Sequence, residues 1–63
     1  MQARIHFQAS ARRFLALPSE HGIRELLAAY ALLHVAMHGN EAGLDEQLGL
    51  IEINARNILM GLP

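Results

Sequence analysis

The sequence predicts an all-α fold: a short N-terminal helix, then an antiparallel hairpin of two longer helices, completed as a helical bundle by a second copy of the chain. Three observations carry that expectation. Leu26 to Met37 runs twelve residues without a formal charge, interrupted only by the hydroxyl of Tyr30 and the imidazole of His34. From Leu44, apolar residues recur at the spacing of a helical seam. Between and before these stretches stand two breaks, Pro18-Ser19 and Gly39 to Gly43.

The first element is the least determined. Ala3, Ile5, Phe7 and Ala9 alternate with Gln2, Arg4, His6 and Gln8, the period of a half-buried strand. Continued through Phe14-Leu15, the same stretch fits a helix with Phe7, Ala11, Phe14 and Leu15 in one stripe. Alanine, glutamine and arginine favour helix. The reading is therefore a helix over about 8–16, with residues 2–8 left open between helix and strand. Pro18 ends it, because the residue before a proline is pushed out of the helical region.

The central helix is expected from about 20–23 to 38, with Ser19 or Gly22 as N-cap and Gly39 as the left-handed residue that closes it. At helical spacing Ile23, Leu26, Leu27, Tyr30, His34 and Met37 share one face, with His38 completing it. The opposite face carries Ala28, Ala29, Leu32, Val35 and Ala36 rather than polar groups. Apolar character all round predicts a buried helix. The run is too short to span a bilayer, which takes about 20 apolar residues.

Asn40-Glu41-Ala42-Gly43 is a connection of the length that makes helices antiparallel neighbours. In the last helix Leu44, Leu48, Ile51, Ala55, Ile58 and Leu62 follow spacings of 4, 3, 4, 3 and 4. Asp45 and Glu46 suit the positive end of its dipole, and Glu52 and Arg56 form an i,i+4 pair. Leu50, Ile53 and Met60 make a second apolar stripe roughly opposite the seam.

Size then forces an inference about partners. The chain has 63 residues, 52% of them hydrophobic and 17% charged, and no cysteine. That is the composition of a single small folded domain, not of a disordered one. Chains this short usually need a disulfide, a metal or oligomerisation, and without cysteine the first is excluded. A homodimer is expected, meeting through Leu32, Val35, Ala36, Leu50 and Ile53. Charge is divided: Arg4, Arg12 and Arg13 with no acid give the first nineteen residues +3, and the remainder carries −4. Arg4, Arg12 and Arg13 are thus expected to form a recognition arm, able to lie against acidic surface in cis or across a dimer.

Chemistry-bearing motifs are sparse. His34 and His38 stand at metal-ligand spacing on a helix, but His34-Val35-Ala36-Met37-His38 lacks the glutamate of a zinc-protease motif. The competing reading is a core histidine bonded to a backbone carbonyl, with His38 at the helix C-terminus. No metal and no cofactor are therefore expected. Ser10 and Ser19 sit where turn and cap roles explain them, and an enzyme is not expected. An N-terminal strand followed by two helices in a dimer is also the outline of a ribbon-helix-helix DNA-binding regulator, with Gln2, Arg4 and His6 facing the major groove. Residues 10–19 are an awkward insertion for that outline, and Glu41, Asp45 and Glu46 would repel phosphates. The acid-free start resembles a mitochondrial transit peptide in composition. A soluble, cytoplasmic, non-enzymatic interaction protein, with no membrane partner and nucleic acid disfavoured but kept as the alternative, is the expectation the residues favour.

Overall fold

A computed structural model describes residues 2–62. The chain forms α1 (Gln2–Ala16), α2 (Glu20–His38) and α3 (Leu44–Leu59), with no strand among the described residues. Helix α1 begins at Gln2, so residues 2–8, open between helix and strand in the sequence, are its first turns. Only one side of that stretch has anything to pack against: Phe7 meets the ring of Tyr30 edge-on, centroids 5.7 Å apart. The apparent period of two has no second sheet strand to satisfy it, and the helix-favouring Gln, Ala and Arg residues prevail.

The two breaks fall where turn chemistry places them. Ser19 has extended backbone and its Oγ accepts from the N–H of Gly22 at 2.9 Å, capping α2. Gly39 takes φ 77°, a left-handed conformation that costs a residue with a Cβ, and its N–H closes the helix on the Val35 carbonyl at 2.7 Å. Asn40 then shapes the connection, its Oδ1 accepting from the N–H of Ala42 at 2.8 Å.

α2 is the central element. α1 and α3 each pack on it and meet one another only marginally. The core is Phe14, Ile23, Leu26 and Ala55, with Phe7, Ala11, Leu27, Ile51 and Leu59 packed around it. Leu33 and Ala29 are also buried, although Ala29 belongs to the face of α2 expected to point away from the core. The cause is α1, which covers an additional flank. A Cβ on Gly22 would stand 3.0 Å from Cδ1 of Phe14, so α1 approaches closely there. Met37 and His38, expected to extend the core face, are exposed, because α1 and α3 leave the last turn of α2 uncovered.

α2 is consequently not enclosed within one chain. Its outer face, Ala28, Leu32, Val35 and Ala36, is open. Among the described residues no helix is long and apolar enough to cross a membrane.

Candidate interaction surfaces

Two polar contacts fix how α2 and α3 lie against each other. The Nε2 of His34 lies 2.8 Å from the carbonyl of Ala42, and Arg56 donates to both carboxylate oxygens of Glu20, at 2.8 and 3.1 Å. Each pair sums to 76 in residue number, so position j on α2 is level with position 76 − j on α3. On the other flank, Phe7–Tyr30 and the Phe14–Gly22 approach set α1 antiparallel to α2. Helices α1 and α3 therefore run parallel to each other on the same side of α2.

This register separates the five residues expected to form one interface. Leu32 and Val35 are level with positions 44 and 41, whereas Leu50 and Ile53 are level with 26 and 23. At about 1.5 Å per residue the two groups stand roughly 9–18 Å apart along the bundle. All five are exposed, Leu32 at 63% and Ile53 at 60%. They fall in two groups, one on α2 near the connection and one on α3.

A third apolar feature had no signal in any one helix. Between α1 and α3 runs a groove of about 190 Å³, lined by Phe7, Ala11 and Leu15 on one side and Ile51, Asn54 and Ile58 on the other, with Leu26 at its floor. Ile58 belongs to the seam of α3 yet is 42% exposed, because α1 does not reach it. The groove arises from how two helices sit on a third, which periodicity within each helix does not report.

The basic residues of α1, Arg4, Arg12 and Arg13, are exposed. At about 100° per residue, Arg4 and Arg13 lie on opposite sides of the helix, and Arg12 stands about 80° from Arg4. Arg13 donates to the Oγ of buried Ser10 at 3.3 Å. Among the described residues no ion pair engages Arg4, Arg12, Asp45 or Glu46.

The histidines resolve into a structural cluster. His34 is 4% exposed. A carbonyl only accepts, so Nε2 carries the proton that bridges to Ala42, and Nδ1 faces the Tyr30 hydroxyl at 3.4 Å. That leaves Nε2 no lone pair for a metal. The His38 ring lies against His34 with centroids 4.5 Å apart. The described residues contain no group of three or more His, Asp or Glu side chains placed to hold a metal ion. At the other end, Arg56 also donates to Glu52 at 3.1 Å. The hydrogen bonds that Arg56 donates to Glu20 first, and to Glu52, hold its guanidinium above the ordinary arginine range.

The chain matches no family model, no curated protein and no solved structure.

Proposed function

We propose that the protein is a non-enzymatic interaction module, a small adaptor, regulator or inhibitor, that acts as a homodimer and presents apolar surface to another protein. The observation that carries this is the surplus of exposed apolar side chains. Among the described residues eleven large ones are at least 41% exposed, against six buried hydrophobic residues. Surplus exposed apolar side chains, where they gather into patches, mark interaction sites. Several of the side chains that could do chemistry have structural partners: Ser10 with Arg13, Ser19 as a cap, His34 with Ala42, and Glu20 and Glu52 with Arg56.

The ribbon-helix-helix alternative needs residues 2–8 as a strand pairing with its two-fold mate. Here they belong to α1, with Phe7 packed on Tyr30. Nothing in the helical arrangement favours that reading over the interaction module.

Size-exclusion chromatography of the wild type and of Leu50→Glu/Ile53→Glu tests the proposal. The wild type is expected to elute as a dimer and the variant as a monomer of unchanged helix content. Equal elution volumes for the two would contradict it.

A further inference from the structure

The groove between α1 and α3 is apolar, with Leu26 of α2 at its floor. Because α1 and α3 run parallel to each other and antiparallel to α2, a fourth helix laid in the groove antiparallel to both would complete an up-down four-helix bundle. We infer that this helix is α3 of a second copy, so that each protomer's α3 fills the groove of the other about a two-fold axis. The inference rests on the homodimer reading above and assigns the surfaces that make it.

Three features of the chain select α3 as the occupant. The first is direction. A two-fold axis perpendicular to α3 sets the two copies of α3 antiparallel, the orientation the groove requires, and makes the contact self-complementary. The second is apolar pattern. Ile58 lines the groove at 42% exposed, and Leu50, at 56%, stands about 80° round α3 from it. Docked α3 would cover these together with Leu15 of α1, itself 62% exposed.

The third is charge. α1 carries no acid, and at about 100° per residue Arg4 falls on the same side of it as Ala11 and Leu15, with Arg12 about 60° round from Leu15. The α3 residue that lines the groove between its isoleucines is the neutral Asn54. The first turn of α3 carries Asp45 and Glu46. Antiparallel docking brings that acidic turn to the C-terminal end of α1, where Arg12 stands. It also brings the carbonyl end of the second α3 towards Arg4, where the helix dipole is negative. The α2 patch of Leu32, Val35 and Ala36 stays outside this contact and is left for a different protein.

The absence of cysteine makes the test direct. Single variants Asn54→Cys and Leu32→Cys are treated with a short bis-maleimide and run on a denaturing gel, and the untreated proteins are weighed by light scattering. Capture of Asn54→Cys at twice the 7.0 kDa chain mass, with Leu32→Cys left uncrosslinked, is the expected result. A dimer by scattering in which Leu32→Cys is captured instead, or both equally, or neither, overturns the groove assignment and leaves the homodimer standing. Monomers by scattering overturn both.

Discussion

Two glycines inside helices give opposite expectations. At Gly22 a Cβ would meet Phe14 Cδ1 at 3.0 Å and the capping Ser19 Oγ at 3.1 Å. Alanine favours a helix over glycine by about 1 kcal/mol, but crowding a packed core costs about 1–3 kcal/mol, and the displaced group here is also a cap. Gly22→Ala is expected to lower stability by about 1 kcal/mol. At Gly49, in mid-α3, nothing lies within 4 Å of the added Cβ, and Gly49→Ala is expected to raise stability by about 0.5–1 kcal/mol. Urea melts of the two variants decide it, and a shift of the same sign in both contradicts the packing described. Ser19→Ala removes one cap bond and should cost about 1 kcal/mol. Arg56 behaves differently, because its pairs with Glu20 and Glu52 are solvent-facing. Its raised pKa means that its contribution is complete below the ordinary arginine range and fades only as pH rises past it. At accessible pH, salt is therefore the lever on the arginine side. The stability gap between wild type and Arg56→Gln is expected to close as salt approaches about 1 M. A gap that salt leaves unchanged contradicts the exposed-pair description.

At the scale of elements, most boundaries were legible because caps and breakers act locally. Ser19, Gly39 and Pro18 state where α2 starts, where it closes and where α1 must stop, without reference to the rest of the chain. The heptad seam likewise announced α3, and Ala55 is buried as its spacing requires. What could not be read was how the helices share α2. The burial of Ala29 and Leu33 depends on α1 approaching through Gly22, and the exposure of Ile58 depends on α1 stopping short of it. The axial spacing between the α2 and α3 groups of exposed apolar residues follows from a register set by His34–Ala42 and Glu20–Arg56, contacts between groups eight and thirty-six residues apart. The His34 contact is itself testable: His34→Leu deletes the bond that holds the connection to α2. Hydrogen exchange at residues 40–44 is expected to quicken more than at Ile23 or Leu26, and uniform quickening across the chain would contradict a local role.

The whole molecule is open for its mass. Its accessible surface is 4451 Å², where the scaling for folded monomers gives about 4040 Å² at this size. Its radius of gyration is 11.6 Å, against about 10.6 Å for a typical domain of this length. Both excesses accompany an elongated arrangement, 35 × 22 × 17 Å, in which α1 and α3 share α2. A second copy that fills the groove between α1 and α3 would give each protomer the core that 63 residues do not supply alone. The most direct test is the solution mass by light scattering across a dilution series, read with helix content at each concentration. The account predicts twice the 7.0 kDa chain mass, falling towards the monomer on dilution together with loss of thermal stability. A monomer at every concentration with a sharp, concentration-independent melting transition would contradict it.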